Sequence, residues 1–336
     1  MYLYCDNGYL NIPEVDSFCD TNKINFIVII GGRQVGKTFG TLKMMLEYNR
    51  KFILMRRTQT ETDFIMSGNS PFAGINSNVE VKRDTKYTAK ILNGDEHIGE
   101  IMALSTVSKI RGFDGTQYTD LVFDEFIPEV HVNKMKNEGD AFLNATITIS
   151  GAREEKGKRP LKTWLLANSN NIANPILDSL GIIDEVEKLN KSEKEYLCLK
   201  ERGIIIIMPN SESIMNKRKN NAIFRAAGTD SKFAKMALGN AFSYNDTENV
   251  GYRNLAEYIP CIKIGYMYIY KHKHRPEIYA SDKLYGTVSP DCVYDDTEEN
   301  RKFVRFKFPD IKIYNANKLV RFSSMKVKNF FIDIFG

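Results

Sequence analysis

Cysteine, tryptophan and histidine are scarce in this sequence of 336 residues, which contains five cysteines, one tryptophan and four histidines. The cysteines are odd in number, widely spaced and without a CxxC or CxxH pair. This pattern argues against a zinc site and indicates reduced thiols in a cytoplasmic protein. The sequence also lacks an apolar stretch of the roughly 20 residues that span a membrane. We therefore expect no membrane partner, and because residues 1–20 lack the features of a secretory signal, we do not expect secretion.

Length and charge allow many functions. The hydrophobic fraction of 43% and the charged fraction of 26% are those of an ordinary globular protein. The length exceeds the usual size of one hydrophobic core, which favours two domains. A net charge of +5 suits a polyanionic partner but does not require one.

Apolar runs alternate with amphipathic stretches in the first half of the chain, which is typical of a parallel α/β sheet. A helix is predicted from Thr38 to Tyr48, with Phe39, Leu42, Met45 and Leu46 on one face. Further helices are predicted to start near Lys134 and at Pro175, and residues 184–201 have helical character. Strands are predicted at residues 26–30, 51–55, 121–123, 164–167 and 204–208, with a hairpin over residues 79–104 that turns at Asn93-Gly94.

The remainder of the chain suggests a second domain. We predict a P-loop domain over residues 1–190, a linker region over 191–249 and a C-terminal domain over 250–336, where residues 259–270, 278–285 and 303–314 are β-rich. Basic and aromatic residues interleave at 266–275 and 301–308, which fits either contact with phosphate backbones or a solvated β face. These strands lack the clustered acids of a two-metal nuclease.

The strongest motif follows the first predicted strand and precedes a predicted helix. It matches G-x-x-x-x-G-K-[ST], whose glycines let backbone N–H groups surround phosphates at the start of a helix. Lys37 would contact the β- and γ-phosphates of ATP, and the Thr38 hydroxyl would bind Mg²⁺. The predicted nucleotide-binding residues are Gly31, Gly32, Arg33, Gln34, Val35, Gly36, Lys37 and Thr38.

A second motif is the apolar strand that ends in Asp124 and Glu125. Alone it is weak, because many strands end in acids, but the upstream P-loop makes it a candidate hydrolytic site. Asp124 would bind Mg²⁺, and Glu125 would polarise the attacking water. Residues 216–219 lack the aspartate of a guanine-binding N-K-x-D motif, so specificity for GTP is not supported.

Several further polar residues are candidates for phosphate or DNA contact. Asn168 ends another apolar strand, where it could sense the γ-phosphate or belong to an ordinary Asn-rich turn. Arg33 could stabilise the transferring phosphoryl group in cis, and Arg153 could do so in trans. Lys109, Arg111 and Arg56 are candidates for trans or DNA contact. For each of these basic residues, a solvated charge or a structural salt bridge is an equally good interpretation.

The order of the motifs GGRQVGKT, MRRTQ, LVFDEF and LLANSNNIANP resembles that of the DNA-packaging ATPases of phi29-like bacteriophages, which are related to large terminase subunits. The resemblance covers most of residues 24–183. It implies an ASCE-type P-loop NTPase with a largely parallel sheet, a linker and a small α+β RNase H-like domain without nuclease acids. It also implies trans-acting roles for Arg153 and for Lys109 or Arg111.

The resemblance further implies how such a protein works. It would form a homo-oligomeric ring, usually a pentamer, docked in the host cytoplasm at the portal or connector of a procapsid. There it would use ATP hydrolysis to translocate double-stranded viral DNA. Some relatives bind a packaging RNA, which this sequence does not establish. The alternatives are a terminase with an active nuclease and a nucleotide-locked scaffold protein; a helicase is disfavoured because no second motor domain is visible.

Overall fold

The computed structural model describes residues 1–109, 113–129, 135, 137–169, 172, 174–210, 214, 216–217, 221–228 and 249–336. The chain forms two compact units. The first comprises Met1–Asn171 and Lys188–Ser243, and the second comprises Ile172–Glu187 and Tyr244–Gly336. No helix in the described ranges is long and apolar enough to cross a membrane.

A nine-stranded sheet forms the centre of the first unit. Its strands are β1 (Phe26–Gly31), β2 (Phe52–Arg56), β3 (Val79–Arg83), β4 (Thr88–Asn93), β5 (Glu96–Ala103), β6 (Asp120–Asp124), β7 (Lys162–Asn168), β8 (Tyr196–Leu199) and β9 (Ile204–Ile207). Their order across the sheet is β3-β4-β5-β2-β6-β7-β1-β9-β8. The six neighbouring strands β5-β2-β6-β7-β1-β9 are parallel to one another. Strands β3, β4 and β8 are antiparallel to the strands beside them. The predicted α/β fold is confirmed.

The central strands carry continuous apolar sequences because both faces of the parallel sheet are covered. Residues 27–30 of β1 are completely buried, and so are residues 121–123 of β6. The hairpin predicted at Asn93-Gly94 connects β4 to β5, and Gly94 has a φ of +60°. Strands β8 and β9 lie within the segment predicted as a linker, and β9 pairs with β1 in this sheet.

Helices and short 3₁₀ segments connect the strands. The helices up to residue 228 are α1 (Ile12–Thr21), α2 (Lys37–Glu47), α3 (Gln59–Met66), α4 (Glu138–Ser150), α5 (Pro175–Ser179), α6 (Ile183–Asn190) and α7 (Ala222–Ala227). Helix α5 begins at Pro175 as predicted, with Asn174 as its N-cap. Thr58 caps α3 in a reciprocal arrangement with Glu61.

Three details of the helices differ from expectation. Helix α2 is present, but Phe39 is 51% exposed, because the buried face instead carries Lys37 and Thr41 together with Leu42 and Met45. The predicted start near Lys134 lies outside the described residues, and α4 begins at Glu138. In the charged segment 184–201 the helix ends at residue 190, and β8 follows because it pairs with β9.

The second unit has five strands, β10 (Tyr258–Ile264), β11 (Met267–His272), β12 (Ile278–Ser281), β13 (Val293–Tyr294) and β14 (Val320–Phe322). They form a mixed sheet in the order β13-β10-β11-β12-β14. Strands β10 to β12 form an antiparallel meander, and β13 and β14 add to its two sides in parallel. Phe331 and Ile334 are fully buried in the core of this unit. Its helices are α8 (Glu298–Lys307), α9 (Asp310–Ala316) and α10 (Met325–Phe335).

The prediction of β structure over residues 303–314 is wrong, because α8 and α9 occupy this segment. The side chain of Thr297 accepts the Asn300 backbone N–H and so caps α8. Acidic residues in the first turn of α8 and basic residues in its last turn match the helix dipole. Basic and aromatic side chains therefore do not alternate between two faces here, and Phe306 is 85% exposed.

Candidate nucleotide-binding site

Four parallel strands bring the predicted site residues to one edge of the nine-stranded sheet. Strands β1, β2, β6 and β7 end there at Gly31, Arg56, Asp124 and Asn168. Strand β7 lies between β1 and β6, and its register places Asn168 beside Gly31. The carboxyl edge of a parallel sheet is the usual place for ligand binding in α/β proteins.

The loop between β1 and α2 has the backbone conformation of a phosphate-binding loop. Gln34 and Gly36 have φ angles of +60° and +94°, and α2 starts at the next residue, Lys37. A Cβ atom at Gly36 would lie 3.4 Å from the Cβ of Tyr9, and the positive φ would strain any other residue. The loop therefore directs the N-terminus of α2 toward the carboxyl edge, where a helix start favours anions.

Lys37 is buried and joins the loop to β7. Its Nζ donates to the carbonyl oxygens of Gly31 at 3.1 Å and Gly32 at 2.7 Å, and to the Asn168 Oδ1 at 3.2 Å. Asn168 therefore lies next to the P-loop, as a contact with the phosphates would require. The amide side chain of Asn168 contacts the ammonium group of Lys37, which would bind the terminal phosphates.

Thr38 and Asp124 form the second contact across the site. The Thr38 hydroxyl donates to the Asp124 Oδ1 at 2.8 Å. A hydroxyl and a carboxylate are hard oxygen ligands, and Mg²⁺ prefers such ligands, one or two of them from the protein and the others from phosphates and water. The two side chains therefore fit the metal expected with ATP.

Arg56 contacts both acids that follow β6. Its Nη2 lies 3.0 Å from the Asp124 Oδ2, and its Nη1 donates to the Glu125 Oε2 at 2.7 Å. Glu125 has a φ of +59°, and its side chain is 57% exposed. Of the two alternatives weighed for Arg56, the salt bridge is present, and a DNA contact stays a prediction.

The structure gives the other predicted basic residues different surroundings. Arg33 forms an ion pair with Glu129, and both side chains are about half exposed. Lys109 is exposed at the end of the 3₁₀ helix Leu104–Lys109, while Arg111 lies outside the described residues. Arg153 is buried, and its Nη1 donates to the Tyr118 carbonyl at 2.5 Å, near the start rather than the end of β6. The structure does not bring Arg153 to the P-loop of its own chain, and its trans role stays a prediction.

A cavity of about 620 Å³ adjoins the P-loop. Residues Tyr4 and Leu10 form an antiparallel bridge, and the Leu10 N–H donates to the Val35 carbonyl at 3.1 Å. This N-terminal segment carries Tyr9 over the loop, on the side of Gly36. Our sequence interpretation missed these residues because they match no nucleotide-binding motif. The lining includes Tyr9, Asn7, Asn11, Gln34, Gly36, Phe39 and Lys43.

A strand–loop–helix with a buried lysine and a hydroxyl–carboxylate pair at the carboxyl edge of a parallel sheet defines a P-loop nucleotide-binding protein. The sequence profile of the family "Podovirus DNA encapsidation protein (Gp16)" matches residues 9–304, and the chain belongs to this family. The protein is therefore a homologue of phage DNA-packaging motor ATPases. No curated protein sequence matches it significantly.

Two solved phage structures share the fold over nearly their whole length. One comes from "The Phi-28 gp11 DNA packaging Motor", with a TM-score of 0.61 at 16% identity, covering 97% of this chain and 96% of that chain. The other comes from "The bacteriophage Phi-29 viral genome packaging motor assembly", with a TM-score of 0.66 at 17% identity, covering 97% and 98% respectively. At this level of identity the likeness shows that the fold is shared.

Proposed function

We propose that the protein hydrolyses ATP at the carboxyl edge of its large sheet and uses the energy to move double-stranded DNA into a phage procapsid. The observation that carries the proposal is the convergence of Lys37, Thr38 and Asp124 in one site. The family of the chain supports the packaging role.

The chain's own residues have distinct tasks in this reaction. The P-loop and the N-terminus of α2 hold the phosphates, and Lys37 exchanges its carbonyl contacts for phosphate oxygens. Thr38 and Asp124 would hold Mg²⁺, which neutralises charge on the phosphates when it is bound. Glu125 orients the water, and for this its carboxylate must turn away from Arg56. We propose that Arg33, within the P-loop, and Asn168, whose Oδ1 accepts a bond from the Lys37 Nζ, contact the γ-phosphate.

We propose that the adenine base binds in the cavity beside the P-loop. Tyr9 and Phe39 offer aromatic surfaces that are each about half exposed, and aromatic surfaces stack on bases. The amide side chains of Asn7, Asn11 and Gln34 can both donate and accept hydrogen bonds at the edge of the ring. ATP thus fits a site with phosphates at α2 and the base under the N-terminal segment.

The second unit supports the motor without a proposed chemical step. We propose that residues 250–336 form an RNase H-like domain without nuclease acids and that residues 1–190 form the ATPase domain, to which the segment 191–249, proposed as the connecting region, adds β8 and β9. Among the described residues, no group of three or more His, Cys, Asp or Glu side chains has metal-binding geometry. A terminase with an active nuclease stays the alternative to this proposal.

The assembled form completes the proposal. We propose a homo-oligomeric ring, with five subunits as the first expectation, at the portal of a procapsid in the host cytoplasm. Double-stranded DNA is the polymer that is moved. Lys109 and Arg111 stay candidates for contact with DNA or with a neighbouring subunit. A packaging RNA is not part of the proposal.

The decisive experiment is the rate of phosphate release from ATP with and without duplex DNA. Lys37→Ala and Glu125→Gln should each lower the DNA-stimulated rate by about 100-fold or more, since one removes phosphate binding and the other removes the base. Lys82→Ala and Glu80→Gln are matched controls, because these side chains are exposed and pair with each other on β3. Normal turnover in Lys37→Ala or Glu125→Gln would refute the proposed reaction.

The same assay addresses the scaffold alternative. A nucleotide-locked scaffold would bind ATP without releasing phosphate in the wild-type protein. Tight ATP binding without turnover, at every DNA concentration tested, would favour that alternative over a motor.

A further inference from the structure

A second large cavity lies at the opposite, amino edge of the nine-stranded sheet. It has a volume of about 820 Å³ and is bordered by the residues that precede or begin β1, β2, β6 and β7. It shares no lining residue with the nucleotide site. Six cationic side chains line it, namely Lys23, Arg50, Lys51, Arg153, Arg159 and Lys162, against the carboxylates of Asp20 and Asp120.

The carboxylates in and behind this cavity already have partners. The Arg50 guanidinium bonds Asp16 at 2.5 Å and Asp120 at 3.2 Å. Lys162 Nζ lies 2.8 Å from the Asp16 Oδ1 and 2.5 Å from the Asp20 Oδ1. The pKa of Asp20 is lowered, because the hydrogen bond and charge of Lys162 outweigh its burial. These acids are therefore occupied by two of the six cations.

Arg153 lacks a comparable partner. It is 4% exposed, and its Nη1 donates to one backbone carbonyl. Its Nε is buried without a hydrogen-bond partner in the described part of the chain. Burial lowers the pKa of the guanidinium by more than the charges of Asp120 and Glu154 raise it. A buried guanidinium with an unsatisfied N–H group is costly and requires an explanation. A bound anion would satisfy this group, and a cavity lined by cations would attract one.

The remaining cations point to the same conclusion. Lys23 and Lys51 form no ion pair with the residues that the structure describes, and Arg159 reaches Asp20 only at 3.7 Å with a side chain that is 85% exposed. The lining contains no aromatic side chain, so it offers no stacking surface for a base. A compact anion with several oxygen atoms can accept bonds from a guanidinium and from ammonium groups together.

We infer that this cavity, hereafter the amino-edge cavity, binds inorganic phosphate or a small phosphate ester through Arg153 and Lys51. The inference is independent of hydrolysis at the P-loop. The proposed phosphate site is formed by residues of a single chain. It is therefore also separate from the predicted trans role of Arg153, which requires a neighbouring subunit.

The test uses the full-length Lys37→Ala protein, in which the P-loop no longer holds its phosphate-binding lysine. Sodium phosphate is titrated into the protein by calorimetry, with sodium chloride of equal ionic strength as the reference. We expect saturable phosphate binding. Adding Arg153→Gln, which removes a charge-assisted bond, should weaken it by about tenfold or more.

Two further variants keep the outcome clear. Lys51→Glu reverses a charge at the cavity without removing a buried group, and it should weaken phosphate binding by a similar factor. Lys156→Ala is the control, since this exposed lysine lies in the same loop as Arg153 but outside the lining. The affinity of this variant for phosphate should be unchanged.

The proposal holds if Lys51→Glu, or an Arg153→Gln protein with native circular dichroism, loses affinity while Lys156→Ala does not. Lack of saturable phosphate binding, or equal affinity in all three variants, overturns it. Neither result bears on the proposed ATP hydrolysis, because ATP turnover is measured separately on a protein that retains Lys37.

Discussion

Glu100 shows how a single buried acid makes stability depend on pH. This residue of β5 is 6% exposed, and burial, assisted by the charge of Asp84, raises its pKa from 4.5 to about 7. Below pH 4.5 the group is protonated in the folded and unfolded chain, so it imposes no cost. As the pH rises toward 7, the unfolded chain ionises first, and the folded state loses relative stability.

We predict that Glu100→Gln removes this loss. The free energy of unfolding at pH 8 should rise by about 3 kcal/mol, and less if neighbouring groups relax, whereas at pH 4 it should change little. Urea titrations at the two pH values measure the difference. Glu96→Gln, on an exposed residue of the same strand, is the control. A variant that keeps the wild-type pH dependence would contradict the assignment.

At the scale of elements, the N-terminal segment around Tyr9 is the part of the nucleotide site with the most direct test. Tyr9→Ala removes an aromatic surface beside Gly36, and stacking of a base on such a ring contributes about 1–3 kcal/mol. We therefore expect the KM for ATP to rise about tenfold with little change in kcat, because the ring binds ground state and transition state equally.

The exposed Tyr2, which lies outside this cavity, provides the matched control as Tyr2→Ala. If Phe39→Ala and Tyr9→Ala both leave the KM at the wild-type value, the base does not occupy this cavity. Circular dichroism of each variant separates a local effect from loss of the fold.

The sequence predicted those elements whose signal is local. The apolar run of β1, the glycines before Lys37 and the acids after β6 are readable because each depends on neighbours in the chain. Strand β8 and the Tyr9 segment are not readable in this way, since one depends on pairing with β9 and the other on a contact with Val35. Helix α8 was mistaken for a strand because its interleaved side chains mimic alternation.

For the whole molecule, the central prediction is that subunits act on one another. If Arg153 contributes in trans, mixtures of Arg153→Ala and Lys37→Ala chains should release phosphate although neither variant does so alone, since a Lys37→Ala chain can supply its Arg153 to the intact P-loop of an Arg153→Ala neighbour. Phosphate release is measured over a series of mixing ratios, with the mass of the assembled particle recorded in parallel. The same series with Lys156→Ala chains is the control.

A complete lack of phosphate release in every mixture would remove Arg153 from the trans role. A particle mass equal to one chain, under conditions of full DNA-stimulated activity, would contradict the ring itself. These two results are separable, because a ring can exist with a different trans residue.

The backbone of Glu125 determines how hydrolysis-deficient proteins of this kind should be made. With a φ of +59°, the residue adopts a conformation that costs a side chain about 1 kcal/mol or more, and glycine would adopt it freely. A glycine substitution would thus relax the turn while deleting the carboxylate, and its inactivity could be assigned to neither change. Glutamine keeps the same strained turn beside Asp124, so only the charge differs.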